Sequence, residues 1–216
     1  MIHELIQTPS IACTFLAELR DEIVQKDRMR FRMNLERLGE CMAWEVSKYL
    51  DYGKKTVTTP LGKAEVNHME SQPVLATIMR AGLPMHQGMM RFFDHADLAF
   101  AAAYRQTQPN GEFTIEIDYI STGSIEGRTL ILVDPMLATG ASMVGVFNRL
   151  CAFGTPASVH IVAAISSSKG IADVQKAMPP GTHIWTGAID EELTSKGYIV
   201  PGLGDAGDLA FGSKIS

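Results

Sequence analysis

The sequence contains little cysteine, no excess of basic residues and no long apolar stretch, and each shortage disfavours a class of protein. Its three cysteines, Cys13, Cys41 and Cys151, stand far apart among apolar residues, so we expect buried thiols and neither a disulfide framework nor a zinc site. The 19 basic and 24 acidic residues give a net charge of −5 without a basic stripe, so nucleic acid is not an expected partner. No apolar stretch reaches membrane-spanning length and the first residues do not form a secretory signal, so we expect a cytoplasmic protein without a membrane partner.

Three common catalytic or nucleotide-binding motifs are also missing. No glycine-rich loop ends in Gly-Lys-Ser/Thr, which disfavours a Walker-type ATPase. No G-x-G-x-x-G follows an early strand, which disfavours a dinucleotide-binding domain. The six histidines show no metal-ligand spacing, and His86 is expected to be structural.

The chain is long and apolar enough for one α/β domain spanning residues 1–216. Its first part predicts two helices, at about residues 10–24 and about residues 28–52, followed by a hairpin with Pro60-Leu61-Gly62 at its turn. From Pro73 onward, short apolar strands alternate with helices. The predicted strands are PVLATIM, LAFAAAY, FTIEIDYI, TLILVD, SVHIVAAIS and THIWTGAI, and the helices include residues 141–153 and 171–178.

This alternation predicts an α/β fold with a mainly parallel sheet flanked by helices on both faces. In such sheets, ligands bind beyond the carboxyl ends of the strands. The polar segment YRQTQPNGE, between two predicted strands, indicates a β-hairpin arm.

The most informative segment is the phosphate loop, residues 134–142, which joins a buried strand to a helix. Free N–H groups of a first helical turn form an anion site, the hydroxyls of Thr139 and Ser142 add donors, and Gly140 allows close approach of a phosphate. Asp134 stands at the end of the strand. The first seven residues of the phosphate loop, Asp-Pro-Met-Leu-Ala-Thr-Gly, resemble the corresponding loop of the uracil phosphoribosyltransferases, a family of the type I phosphoribosyltransferases.

That resemblance implies the type I phosphoribosyltransferase fold and binding of phosphoribosyl pyrophosphate (PRPP) by this loop. The 5′-phosphate would lie on the loop's N–H groups and hydroxyls, and Asp134 would accept from the ribose hydroxyls. Ala141 departs from the family, which usually has a second glycine there. The implied PRPP-binding residues of the loop are Asp134, Pro135, Met136, Leu137, Ala138, Thr139, Gly140, Ala141 and Ser142.

A second signal is the glycine-rich stretch GYIVPGLGDAGDLAFG, residues 197–212, which we call the hood. Five glycines and a proline predict a loop of defined shape rather than a helix or a central strand. The stretch also resembles the uracil phosphoribosyltransferases, and the resemblance implies a small C-terminal base-binding hood in which main-chain groups of Ile199, Gly204 and Ala206 bind uracil. Asp205 would lie beside both uracil and PRPP, on the side where the metal ion carried by PRPP binds.

Two arginines complete the expected site. Arg80 ends a predicted strand in Ile-Met-Arg-Ala-Gly-Leu, which resembles the family's pyrophosphate loop. Arg105 matches the arginine that stands at the start of the hairpin arm in that family. By resemblance, both bind PRPP, and Arg80, Arg105 and Asp134 are the catalytic set. Mg²⁺ would be carried by PRPP, with no metal ligand supplied directly by the protein.

The resemblance covers about residues 31–212 and implies transfer of phosphoribosyl from PRPP to uracil N1, giving UMP in pyrimidine salvage. It also implies a homodimer or a higher even homo-oligomer. Two alternatives remain: a phosphoribosyltransferase for another nucleobase, and a PRPP- or nucleotide-sensing regulator of the same fold. Ala141 and the segment Gln106-Thr107, both departures from the family, keep the regulator open. GTP activates some relatives, and the sequence leaves open whether it is an activator here.

Overall fold

The computed structural model describes residues 1–107 and 113–214, and the side chains of residues 105–107 and 113 lie outside that description. The strands are β1 (Ile2–Glu4), β2 (Tyr52–Thr59), β3 (Gly62–Met69), β4 (Val74–Met79), β5 (Asp97–Thr107), β6 (Phe113–Ser121), β7 (Thr129–Val133), β8 (Met136–Leu137), β9 (Ser158–Ser167), β10 (His183–Asp190), β11 (Glu192–Leu193) and β12 (Ile199–Val200). The α-helices are α1 (Ile11–Arg20), α2 (Arg28–Ser47), α3 (Leu83–Met90), α4 (Ala141–Leu150), α5 (Ser168–Ala177) and α6 (Ala206–Phe211).

The central sheet has the order β1-β10-β9-β7-β4-β5-β6, with the short β8 also paired to β9. Neighbours from β1 to β5 pair in parallel, and β6 runs antiparallel to β5. The predicted α/β class with a mainly parallel sheet is therefore confirmed. The strand pair β5–β6 forms the base of the predicted hairpin arm, whose turn at residues 108–112 lies outside the described part of the chain.

Alternate residues of the central strands point to two separate cores, as a sheet covered on both faces requires. Leu75, Ile131 and Val162 pack with residues of α1, α2 and α3 on one face. Leu130, Leu132 and Ile161 pack with residues of α4 and α5 on the other. Burial on both faces explains why these strands are continuous apolar runs in the sequence.

The predicted ends of the first two helices are wrong. The first helix ends at Arg20 rather than near residue 24, because the Asp21 carboxylate accepts from the N–H groups of Ile23 and Val24 and starts a separate 3₁₀ turn. The second begins at Arg28 as predicted, capped by Asp27, but ends at Ser47 instead of near residue 52, where strand β2 has already begun.

The amino-terminal strand and the cysteines also differ from expectation. Strand β1 has only three residues and no diagnostic pattern, yet it adds in parallel to the edge of β10. Cys13 and Cys41 are half-buried and Cys151 is exposed, so the prediction of three buried thiols is wrong. Cys151 follows the last residue of α4, in a 3₁₀ turn at the surface that apolar neighbours in sequence do not cover.

Two other expectations concern single features. His86 is a structural histidine as predicted, since its buried ring bonds the Leu75 carbonyl through Nε2 at 3.1 Å. Within the described residues, no helix is both long and apolar enough to cross a membrane.

A cluster of aromatic rings lies at the amino ends of β1, β9 and β10. His3 stacks on Trp185 with ring centroids 3.8 Å apart, and its Nε2 lies 3.0 Å from His183 Nδ1. Trp185 donates its indole N–H to Nδ1 of His160, which is 2% exposed. Burial, together with repulsion from His183 and His3, lowers the pKa of His160 to about 4.

This cluster predicts a loss of stability on mild acidification. Unfolded His160 takes up a proton near the ordinary histidine pKa of about 6.5, whereas the folded protein resists protonation until about pH 4, so stability falls as pH drops through this window. We expect this residue alone to account for about 2 kcal/mol of unfolding free energy lost between about pH 7.5 and pH 5. Urea denaturation at the two pH values measures it. His160→Gln keeps an acceptor for Trp185 and should reduce the loss; an unchanged loss would contradict the assignment.

Candidate active site

Three segments follow parallel strands of the central sheet, at its carboxyl edge. The phosphate loop follows β7, residues 80–82 (the Arg80 loop) follow β4, and the hood follows β10 after the short strand β11. Because β10, β9, β7 and β4 run parallel in this order, all three segments emerge on the same side of the sheet. The segments that carry the predicted site residues other than Arg105 therefore lie at the expected edge.

Part of the phosphate loop forms regular structure. Asp134 is half-buried and its N–H continues the ladder to Val162, while Pro135 accepts from Ile165 and residues Met136–Leu137 pair with β9 as β8. Thr139 and Ser142 are half-buried and Ala141 is exposed at the start of α4. The N–H of Ala141 lies 3.4 Å from Thr139 Oγ1. The helix amino terminus required for anion binding is thus present at the predicted place.

Helix α5 and its N-cap residue pack against the phosphate loop. Ser167 donates to the carbonyl of Ala138 at 2.6 Å and also caps α5 by accepting from Gly170 N–H. A Cβ on Gly170 would lie 2.3 Å from the same Ala138 carbonyl. Gly140 has φ of 76°, and a Cβ there would lie 2.5 Å from Val174 Cγ2. Gly140 is required by backbone conformation and by packing against α5, in addition to the close approach of a ligand expected from the sequence.

The Arg80 loop lies against the strand that leads to Asp134. A Cβ on Gly82 would lie 2.3 Å from Thr77 Oγ1 and 2.9 Å from the carbonyl of Val133. Thr77 itself contacts that carbonyl through its hydroxyl at 3.4 Å. Only glycine permits this approach, and it brings the loop bearing Arg80 next to the residue that precedes Asp134. The Met79–Arg80 peptide bond is cis.

The start of the hood is attached to the end of β10 by an ion pair. Nη1 and Nη2 of Arg20 each donate to the Asp190 carboxylate at 2.8 Å, and Gly202 N–H donates to the same carboxylate at 2.8 Å. Arg20 also bonds the Gly202 carbonyl. Burial by itself raises the pKa of Asp190, but the bonds from Arg20 and Gly202 outweigh it and hold that pKa below its ordinary value. Asp190 is thus charged, and it fixes the backbone near Ile199.

The second half of the hood is helical, so the prediction that this stretch contains no helix is wrong. Asp205 begins α6 by accepting from the N–H of Asp208 at 3.0 Å. Gly207 is buried, and a Cβ there would lie 3.7 Å from Arg80 Nη2. An N-cap aspartate and tertiary packing outweigh the low helix propensity of glycine.

Arg80 contacts the hood directly. Its Nη2 lies 3.0 Å from Asp208 Oδ1, and its Nη1 donates to the carbonyl of Gly212 at 3.2 Å. These bonds join the Arg80 loop to the segment that carries Asp205 and Ala206. Sequence reasoning assigned no role to Asp208.

The structure also defines the surroundings of the predicted base-binding residues. Ile199 and Ala206 are buried, Gly204 is exposed with φ of 94°, and Asp205 is half-buried. The side chain of Arg105 lies outside the described residues, although its backbone belongs to β5 next to β4. The Arg20–Asp190 ion pair was also not predicted from the sequence, because 170 residues separate the two side chains and no local pattern pairs them.

Comparisons with known proteins agree with this geometry. A family model described as uracil phosphoribosyltransferase matches residues 5–213. A protein named uracil phosphoribosyltransferase from Porphyromonas gingivalis is 47% identical over 206 residues, covering 95% of both chains. One of the same name from Pyrococcus furiosus is 37% identical over 203 residues, covering 93% of this chain and 85% of its own. The solved AQ2163 protein from Aquifex aeolicus superposes with a TM-score of 0.87 at 27% identity, over 100% of both chains.

The packing of Gly140 against Val174 predicts that Gly140→Ala is destabilising. The new methyl group would combine a left-handed backbone with a clash of 2.5 Å, and we expect about 2 kcal/mol less unfolding free energy in urea denaturation. Gly181→Ala is the matched control, since Gly181 has φ of 88° with nothing within 4 Å of the new methyl group. Equal losses in the two variants would contradict a packing role for Gly140.

Proposed function

This chain belongs to the uracil phosphoribosyltransferase family, and from that membership we propose that it transfers phosphoribosyl from PRPP to N1 of uracil, giving UMP and pyrophosphate. The observation that carries the proposal is the convergence of the phosphate loop, the Arg80 loop and the hood at one edge of the sheet. A dianionic phosphate, a pyrophosphate and a base need three different surfaces within the length of one nucleotide. The three segments offer a helix amino terminus, a guanidinium and an ordered backbone.

Uracil is proposed to bind through main-chain groups of the hood. Its edge presents acceptor, donor and acceptor, which two N–H groups flanking a carbonyl complement; Gly204 and Ala206 would supply the N–H groups and Ile199 the carbonyl. The Arg20–Asp190 pair supports this assignment, because it fixes the backbone at Gly202, between these groups. Cytosine would set its amino group against one of these N–H donors and leave that donor without an acceptor, at a cost of about 1–3 kcal/mol.

The ribose 5-phosphate of PRPP is proposed to bind at residues 134–142. The N–H groups at the start of α4 and the hydroxyls of Thr139 and Ser142 would receive the 5′-phosphate, and Asp134 would accept from the ribose hydroxyls. The hydrogen bond from Ser167 to the Ala138 carbonyl and the close packing of Gly140 support the proposal, because they fix the loop before the ligand arrives. A preformed anion site avoids the cost of ordering a loop on binding.

The leaving pyrophosphate is proposed to meet Arg80 and Arg105. No side chain of the site is an obvious nucleophile for ribose C1, so the rate should come from alignment of uracil N1 and from stabilisation of charge on the departing oxygens. Arg80 would supply permanent positive charge at the pyrophosphate, and Arg105 would add to it from the arm. Closure of the arm over PRPP would exclude water and prevent hydrolysis.

Magnesium is proposed to arrive with PRPP. Among the described residues, no three histidine, cysteine, aspartate or glutamate side chains are grouped so as to hold a metal ion. The half-buried carboxylate of Asp205 fits an outer contact with a hydrated ion, since Mg²⁺ keeps several waters and prefers carboxylate and phosphate oxygens. Bound Mg²⁺ would offset negative charge on pyrophosphate.

We also propose that the protein forms a homodimer or a higher even homo-oligomer in the cytoplasm. The hairpin β2–β3 supports this, because it forms a separate two-stranded sheet with Leu61 fully exposed at its turn. Isolated hairpins of this kind are marginally stable in water. A monomeric mass in solution would contradict the assembly.

The proposed function predicts UMP formation from PRPP and uracil with Mg²⁺, and little product with cytosine, hypoxanthine or orotate in parallel reactions. GTP is added in a second series to test it as an activator. Arg80→Ala should lower kcat/KM for PRPP at least about 100-fold, because it removes charge from the leaving group. Asp134→Asn should also lower it. Arg149→Ala removes an exposed arginine of α4 as the control and should leave turnover unchanged.

Preference for another base would overturn the assignment of the hood but retain the PRPP site. Binding of PRPP without turnover of any base, with or without GTP, would favour the regulator of the same fold. Unchanged turnover in both Arg80→Ala and Asp134→Asn would refute the proposed catalytic roles.

A further inference from the structure

The guanidinium of Arg80 is fixed at two of its five N–H groups. One N–H on Nη2 faces Asp208 Oδ1 at 3.0 Å, and one on Nη1 faces the Gly212 carbonyl at 3.2 Å. An arginine has five donors in a rigid planar fork, so three N–H groups have no partner among the residues that the structure describes and remain for a ligand. Arg80 can therefore keep both protein bonds while it binds pyrophosphate.

The backbone and the side chain of Asp208 have separate bonds. Its N–H donates to Asp205 Oδ1 and completes the cap of α6, whereas its carboxylate contacts Arg80. The carboxyl end of α6 is held independently by Arg32, which donates to the Ala210 carbonyl at 2.7 Å. Removing the Asp208 carboxylate should therefore leave the helix, and the backbone at Asp205 and Ala206, in place.

We propose that Asp208 is a positioning residue for phosphoribosyl transfer: its carboxylate orients the guanidinium of Arg80 toward the pyrophosphate of PRPP. The proposal rests on the proposed function for the role of Arg80. Asp208 lies on the hood and Arg80 on the loop after β4. A residue of the segment proposed to bind uracil therefore orients the side chain proposed to bind pyrophosphate.

The consequence is a split between the ligands. Without the carboxylate, Arg80 keeps one fixed acceptor and gains rotamer freedom, which must be lost again when a pyrophosphate group binds. Ligands that carry pyrophosphate should lose affinity, and ligands that lack it should not. PRPP and free pyrophosphate belong to the first group, and uracil and UMP to the second.

The test compares Asp208→Ala and Asp208→Asn with the wild type. In Asp208→Ala, KM for PRPP and the calorimetric Kd for magnesium pyrophosphate should both rise about fivefold, the cost of immobilising one long side chain. KM for uracil and the Kd for UMP should change by less than about twofold. Asp208→Asn keeps an oxygen that accepts from Nη2, so its increases should be smaller.

Stability is the internal check on these variants. The side chains of Arg80 and Asp208 are 39% and 35% exposed, and ion pairs with this exposure contribute little to folding. Both variants should therefore keep the wild-type melting temperature within a few degrees. Asp173→Ala, which breaks the exposed Lys169–Asp173 pair on α5, is the matched control and should alter no affinity.

Two results would overturn the proposal. One is an unchanged Kd for magnesium pyrophosphate in Asp208→Ala. The other is a rise of equal size in the Kd for UMP, which would mean that the variant distorts the hood as a whole. The pyrophosphate measurement requires no turnover, so it tests Asp208 even if the wild type fails to make UMP, and the two failures remain distinguishable.

Discussion

Parallel pairing of β10, β9, β7 and β4 is the constraint on which the site depends. In that arrangement the carboxyl ends of all four strands share one edge, so segments more than 100 residues apart in sequence come together without a long connection. The strands can be parallel because both faces are covered, by α1, α2 and α3 on one side and by α4 and α5 on the other. The end of each strand determines where the following loop lies, and further contacts are needed to hold that loop in one conformation.

Close contacts between neighbouring segments provide that fixation. Gly170 and Gly82 allow backbone approaches that any side chain would prevent, so the phosphate loop is packed against α5 and the Arg80 loop against the end of β7. The hood contains five glycines, its side chains Ile199, Leu203, Ala206 and Ala210 are buried in the core, and charged contacts add to this packing. Arg20 and Asp190 attach its beginning to β10, and Arg80 bonds its end at Asp208 and Gly212. A site made of backbone groups needs such external supports.

The sequence was a good guide where structure follows local pattern. Apolar runs such as TLILVD identified the buried strands, and Thr-Gly-Ala-Ser identified the start of α4. Local pattern failed where distant residues decide the outcome. Helix α6 forms in a glycine-rich stretch because Asp205 caps it and Arg80 and Arg32 bind it. Strand β1 exists because β10 offers it a free edge. The ligand-binding roles of Asp134, Thr139 and Ile199 stay predictions, since contacts within the protein do not test them.

The central claim is that one continuous site binds a ribose phosphate at residues 134–142 and reads the uracil edge with the hood backbone. Calorimetric titration of the wild type with UMP and, separately, with CMP tests both halves of this claim. The two ligands share the ribose and the phosphate, and they differ at the edge that the hood should recognise. The account predicts binding of UMP at least about tenfold tighter than CMP, the effect of one buried donor left without an acceptor. Equal affinity for the two nucleotides would contradict it.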